Sequence, residues 1–389
     1  MQPARFRAMV AAILQRWSQA SDILFTVGTS VQAEVDGQLR AVRLKDMPEL
    51  TPEATRSIAE CLLGDRLALR RNLSEHGSCD LSWALGGTAR FRVNVFRQRG
   101  RYAVVMRRLP ERVPEMEELQ LPPVFAEMAQ ERQGLVLVTG GTGAGKSNSL
   151  ASLIQTINRT RPVHIVTLED PIEFVHEHAK GVVNQRELHT DFDSFASGLR
   201  AALRQAPKVI MVGEIRDRAT MEIVLQAAAT GHLVLATLHT SDAAGTVQRV
   251  LGLFEPHEER LARMQLAAHL RCVVSQQLLP RVDGPGRVPV FEILRNTLSV
   301  RELVLQGERS DRTLYSVLEQ GTAQGMQTFD QHLFQLYEQG VISEENALLA
   351  AGDRALLLQR IDLFKSGRGE GTDELRLGGL EPDLDADLR

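Results

Sequence analysis

Cysteine is scarce in these 389 residues: Cys61, Cys79 and Cys272 stand far apart and are odd in number. That spacing fits neither a disulfide framework nor a zinc cluster and reads as isolated buried or half-buried thiols. No apolar run reaches the roughly 18–20 residues a membrane span needs. Aromatic residues make up 5% of the chain, and the net charge is −4. The chain therefore has no overall positive field to draw it to nucleic acid and no aromatic-plus-basic segment for stacking bases, so nucleic acid is not an expected partner. Lysine is nearly absent, occurring only at Lys45, Lys146, Lys180, Lys208 and Lys365, while arginine supplies the remaining cations.

Hydrophobic content of 43% and charged content of 24% suit globular packing, and the length suffices for two or three cores. The opening MQPARFRAMVAAILQRW puts Phe6, Met9, Val10, Ile13, Leu14 and Trp17 on one helical face. Gln15, Arg16 and Trp17 interrupt its apolar stretch and no small-residue cleavage site follows, so it reads as an amphipathic helix rather than a signal peptide. A cytoplasmic location is the expectation. ASDILFTVG, SVQAEVDG and QLRAVRL then alternate as short strands, with Asp36-Gly37 as a type I′ hairpin signal. TPEATRSIAECLLGDRLALRRNL opens with Thr51 as N-cap and Pro52 at the first helical position, and breaks near Gly64. CDLSWALGG, TARFRVNVFRQRG and RYAVVMRRLP read as strands joined at Gly86-Gly87 and Arg99-Gly100. Residues 1–109 thus form an expected α+β domain with an antiparallel sheet.

Residues 110–124, with four prolines and several acids, have the composition of a linker. Beyond it QGLVLVTG, VHIVTLED, KVIMVGE and HLVLATLH are compact apolar runs between helical segments, the pattern of a parallel sheet buried on both faces. The fold class is therefore α/β, a parallel-sheet domain over 125–365 behind a smaller α+β domain. From about residue 255 the chain reads as helical, and 366–389, rich in Gly and Asp, as a disordered acidic tail.

Gly140-Gly141-Thr142-Gly143-Ala144-Gly145-Lys146-Ser147 matches the phosphate-binding P-loop (Walker A) pattern at every fixed position, between an apolar strand and a helix. Glycines let backbone amides turn inward on phosphate, and the helix offers its positive end to the same anion. Lys146 brings a compact charge that a bulky guanidinium would not replace, Ser147 a Mg²⁺ ligand, and Asn148 a further phosphate contact. The expected ligands are ATP and Mg²⁺. The motif alone leaves kinase, GTPase, helicase and motor open. Two acidic clusters at strand ends, Glu169–Glu173 and Val212–Asp217, supply candidate carboxylates for orienting water, and His232 and His239 bracket one buried strand.

EDPIEF at 169–174, VGEIRD at 212–217 and TGHLVLATLHT at 230–240 resemble the Asp box, Walker B region and His box of the type II/IV secretion ATPase superfamily. SDILFTVG, RFRVNVF and GMQTFDQHLFQLYEQGVISEENAL are similar to segments of the pilus retraction ATPases, and ALRQAPKVIMVGEIRDRATM resembles the PilU branch more than the PilT branch. The resemblance covers about residues 5–365. It implies a RecA-like ATPase domain behind a PAS-like N-terminal domain, assembled as a homohexameric ring at the cytoplasmic face of the inner membrane. Its implied function is ATP-driven pilus retraction and twitching motility, with an inner-membrane platform protein and a paralogous retraction ring as partners. It assigns Glu173 as general base and Glu214 as the Walker B acid acting on Mg²⁺ through water. His232 and His239 become relays of nucleotide state, and Arg90, Arg92 and Arg107 the arginines that reach the γ-phosphate.

The sequence departs from that pattern at Gly141, where proline is usual, at Asn148 for threonine, at Ala229 for glutamate and at Lys208 for aspartate. SVRELVLQGE, with Arg301, is only loosely similar to the AIRNLI-type motif of retraction. These departures support an alternative, a weakly hydrolysing ring that serves as adaptor for an active one. An assembly or secretion ATPase of the same superfamily would carry a four-cysteine zinc module, which three scattered cysteines do not make.

Overall fold

The computed structural model describes residues 1–44 and 47–368. Helix α1 (Pro3–Arg16) buries Phe6, Met9, Val10, Ile13 and Leu14, and Trp17 sits at its C-cap. Strands β1 (Asp22–Phe25), β2 (Val31–Val35) and β3 (Gln38–Val42) follow. Asp36 and Gly37 take φ of 54° and 74°, the paired positive angles of a type I′ turn, which matches the strands' twist. Helix α2 (Pro52–Leu63) begins where the Thr51 side chain accepts from the Ala54 amide, and α3 (Leu67–His76) succeeds it after the break at Gly64. Strands β4 (Ser78–Leu85), β5 (Ala89–Gln98) and β6 (Arg101–Arg108) complete a six-stranded antiparallel sheet in the order β3-β2-β1-β6-β5-β4.

Alternation decides the two faces of this first sheet. In β5, Phe91, Val93 and Val95 are buried with the helices, beside Phe6, Phe25 and Trp83. Arg90, Arg92 and Asn94 lie on the other face, where Arg92 is registered between Ser82 and Arg107.

Residues 110–124 lead to α4 (Val124–Met128). Met116 and Leu121 pack against the following core, and Glu115 pairs with Arg159 at 2.7 Å, so the segment is tied down. There follow β7 (Gly134–Thr139), α5 (Lys146–Thr160), β8 (His164–Glu169), β9 (Val182–Glu187), α6 (Phe195–Ala202), β10 (Val209–Val212), α7 (Arg218–Ala229) and β11 (Leu233–Leu238). After α8 (Ala243–Leu251) and α9 (Pro256–His269) come β12 (Leu270–Pro280) and β13 (Arg287–Arg295). The seven strands order as β13-β12-β7-β11-β10-β8-β9, all parallel except the antiparallel β13.

Both faces of this second sheet are buried. Leu135 and Leu137 of β7, Ile210 and Val212 of β10 and Val234 and Ala236 of β11 share one core with α6 to α9. Val136, Val138, Val209, Met211, Leu233 and Leu235 share the other with α4 and α5. An uninterrupted apolar strand is the sequence consequence of that two-sided burial.

The expectation of an all-helical stretch from residue 255 is corrected by β12 and β13, which extend the sheet past the P-loop strand. β9, also unexpected, forms the far edge. Helices α10 (Leu298–Gln306), α11 (Leu314–Gln320), α12 (Phe329–Glu338), α13 (Glu344–Ala350) and α14 (Arg354–Gly367) close the described chain. Phe329, Leu333 and Leu336 of α12 pack on Val288 and Val290 of β13. Ser366 and Gly367, read by composition as part of the tail, end α14 instead; residues 369–389 of the expected tail lie outside the described residues.

Candidate functional site

The carboxyl ends of β7, β8, β10 and β11 open onto one cleft of about 590 Å³, a size suited to a nucleotide. The P-loop, Glu173, Glu214, Arg216 and His239 line it, and Arg92 of the N-terminal sheet faces them from across it.

Three glycines of the loop have positive φ: Gly140 at 144°, Gly143 at 79° and Gly145 at 91°. At Gly140 a Cβ would come within 2.3 Å of the Gln276 carbonyl oxygen of β12, so only glycine fits between the loop and that strand. Gln276 holds the loop's other end as well. Its side-chain Oε1 accepts from the Ser149 hydroxyl at 2.8 Å, on the first turn of α5. Below the loop, the Thr139 and Ser275 hydroxyls meet at 2.8 Å. Sequence reading missed Gln276, because β12 itself was missed. Two valine-rich runs separated by Asp283-Gly284-Pro285-Gly286 were the available hairpin signal.

Lys146 is buried at the start of α5, and its Nζ donates to the carbonyls of Gly140 at 2.7 Å and Gly141 at 3.0 Å. Burial lowers its pKa, opposed by the charges of Glu214 and Glu173. Ser147 and Asn148 face the cleft beside it. A methyl group on Gly141 would meet nothing within 4 Å, and this residue lacks the positive φ of its neighbours, so nothing local demands glycine or proline there.

Glu214 follows β10 and is largely enclosed, its carboxylate paired with Arg216 and 3.4 Å from His239 Nε2. Thr237 of β11 donates to the Gly213 carbonyl at 2.5 Å, fixing the turn that presents Glu214. Asp170, 4.0 Å from Arg216, has its pKa raised by burial. Ser147, Glu214 and Asp170 offer hard oxygen donors, the chemistry Mg²⁺ prefers. Among the described residues no group of three or more His, Cys, Asp or Glu is placed to hold a metal alone. A hydroxyl and one or two carboxylates beside substrate phosphates are the donor set Mg²⁺ takes, so the residues present fit the ion.

Glu173 sits on the loop after β8. Edge strand β9 braces this loop: Gln185 Nε2 donates to the Phe174 carbonyl at 2.7 Å and to Glu169 at 2.9 Å, and Gln185 Oε1 accepts from the His176 amide at 2.8 Å. Glu169 is buried under the loop, where desolvation pushes its pKa up to about 7. His176, also buried, is held neutral by desolvation, its pKa lowered to about 4.

The remaining expected residues separate. Arg90 does not enter the cleft: its guanidinium donates to the carbonyls of Ile172 at 2.7 Å and Glu173 at 3.3 Å. Arg107 is 71% exposed and bonds Asp22 at 2.9 Å, outside the cleft lining. His232 lies at the opposite end of β11 from His239, its Nδ1 at 3.0 Å from the Ala227 carbonyl, and exposed Ala229 ends the neighbouring α7. Within one chain, then, the structure gathers the P-loop, Glu173, Glu214, His239 and Arg92, and leaves Arg90, Arg107 and His232 outside.

A family model described as type II/IV secretion system protein matches residues 7–357. The type IV pilus ATPase PilU of Pseudomonas aeruginosa is 40% identical over 342 residues, covering 87% of this chain and 88% of that protein. PilT of the same organism, a type IV pilus retraction ATPase, is 42% identical over 328 residues, covering 84% and 93%. A crystal structure of the pilus retraction motor PilT with bound ADP aligns at a TM-score of 0.80 and 40% identity, covering 91% of this chain and 98% of that one. The part built on the seven-stranded sheet accordingly has the RecA-like ATPase fold. The chain belongs to the type II/IV secretion ATPase family, and it is an ATPase.

Proposed function

We propose that this chain is the hydrolysing subunit of a homohexameric ring that drives type IV pilus retraction and twitching motility at the cytoplasmic face of the inner membrane. In this reading the N-terminal domain spans 1–109, the linker 110–124 and the ATPase domain 125–365. The observation that carries it is a cleft in which a P-loop, Glu173, Glu214 and an arginine from the N-terminal sheet converge. Lys146 and the loop amides hold the outer phosphates, and Ser147 and Glu214 are the residues that would hold Mg²⁺. The ion, when bound, offsets charge developing on the transferred phosphoryl group.

Glu173 orients the attacking water and takes its proton, and Gln185 and Arg90 keep its loop at the required height. Arg92 stabilises negative charge at the γ-phosphate with its fixed fork of donors. His239 shares a hydrogen-bonding environment with Glu214, so the γ-phosphate end of the cleft is linked to the end of β11. His232, at the other end of that strand, carries the strand's position toward a neighbouring subunit. Movement of the N-terminal sheet relative to the P-loop then converts hydrolysis to force on a platform protein, alone or beside a paralogous ring.

Phosphate release by the purified chain, beside Glu173→Ala, tests the enzyme. Twitching in a deletion strain complemented with either form tests the motor. The adaptor reading rests on Asn148, which lines the cleft where threonine is usual. Phosphate release no faster than that of Glu173→Ala, with ATP still bound, would favour it.

A further inference from the structure

We infer that Glu187 is a positioning residue that joins the N-terminal sheet to the loop bearing Glu173. The inference rests on Glu173 being the base. Glu187 ends edge strand β9, two residues beyond Gln185 and so on the same face. It is 7% exposed, and a buried carboxylate needs partners that compensate its desolvation.

Its partners come from two parts of the chain. Glu187 Oε2 accepts from the Ser82 hydroxyl of β4 at 2.5 Å and from the Ile172 amide at 3.2 Å. Oε1 accepts from the Thr190 hydroxyl at 3.3 Å. Ile172 immediately precedes Glu173, and its carbonyl, like that of Glu173, accepts from Arg90 of β5. Ile172, the residue before the base, is therefore held at both of its backbone polar groups: its amide by Glu187, itself bonded to β4, and its carbonyl by Arg90 of β5.

Ser82 and Arg92 are registered opposite one another on the same sheet face. A shift of that sheet which carries Arg92 out of the cleft also draws Ser82 off Glu187 and Arg90 off Ile172. Base position and the arrival of Arg92 are thus set by one movement. Misplacing a reacting group by about 1 Å costs on the order of 100-fold in rate, so a loosened loop should appear in kcat.

The experiment measures kcat, KM and Tm for the full chain carrying Glu187→Ala, Ser82→Ala, both together, and Glu187→Gln. The expected result is a fall in kcat of roughly 10- to 100-fold for Glu187→Ala with KM for ATP within about threefold. Ser82→Ala should fall by a smaller factor, and the double variant no further than Glu187→Ala. Glu187→Gln, which keeps an acceptor oxygen, should recover most of the rate. An unchanged kcat in Ser82→Ala and Glu187→Gln, together with either an unchanged kcat in Glu187→Ala or a failure of that variant to fold, would overturn the proposal. So would losses that multiply in the double variant, or a KM that rises in step with a falling Tm. Wild-type protein no more active than Glu173→Ala would instead refute the assignment of the base.

Discussion

Gly140→Ala is the sharpest test of how the P-loop is built. The new methyl would start 2.3 Å from the Gln276 carbonyl oxygen, where real contacts do not fall below 3.0 Å, so about 0.7 Å must be made up. Gln276 cannot supply that movement cheaply, because β12 is paired on both sides, with β7 and with β13. Alanine at φ 144° adds backbone strain of about 1–3 kcal/mol. The loop therefore moves, and its amides leave the positions that meet phosphate. The expected result is a loss in kcat/KM for ATP of roughly 10- to 100-fold, with Tm lower by several degrees. Gly141→Ala is the built-in control, since a methyl there meets nothing within 4 Å. Its ATP turnover and nucleotide affinity, measured by phosphate release and fluorescent-nucleotide titration, should stay within about twofold of wild type. Equal damage at both positions, or none at Gly140, would refute the steric argument.

Lys146→Ala should abolish nucleotide binding in the same titration, because it removes the one ammonium group among the described residues that line the cleft. Arg92→Ala should lower kcat by about tenfold or more with little change in KM, as expected of a group acting on transition-state charge. Glu169 gives a pH test on stability: its ordinary pKa of 4.5 is raised to about 7 by burial. The folded chain keeps that proton between those values while the unfolded chain has lost it. Stability from this group is therefore full below about 4.5 and is lost as pH rises through 7, on the order of 3 kcal/mol. Melting of Glu169→Gln between pH 5 and 8 should show a flatter decline in Tm than wild type, and parallel declines would count against the assignment.

The parts of the site that are contiguous in sequence were readable. A glycine-rich loop between an apolar strand and a helix carries its mechanism in eight successive residues, and the structure builds the loop that way. Strands buried on both faces were readable too, because two-sided burial forces an unbroken apolar run. β9 was not: at the sheet edge it carries Asn184, Gln185 and Arg186, and its polarity hides it among loops. β12 starts at Leu270, directly after α9 ends at His269, so no glycine or proline marks the change of period. Gln276 and Glu187 escaped for a related reason. Each acts on a segment far away in the chain, Ser149 in one case and Ser82 in the other, and such pairings leave no spacing signal. The arginines illustrate the opposite limit. Arg90 and Arg92 differ by two positions and share a face, yet one braces a loop and the other faces the nucleotide cleft.

The seat of Gly140 against Gln276 sets a lower bound on what a working catalytic fragment of this chain can be. A piece ending after β11 would retain every acidic and glycine-rich signature yet lack the wall that shapes the P-loop. Adding β12 alone would leave its outer edge bare, because β13 is its other neighbour. The shortest span that keeps the loop in form must reach Arg295, so autonomy of the nucleotide pocket begins well past the last of its recognisable motifs.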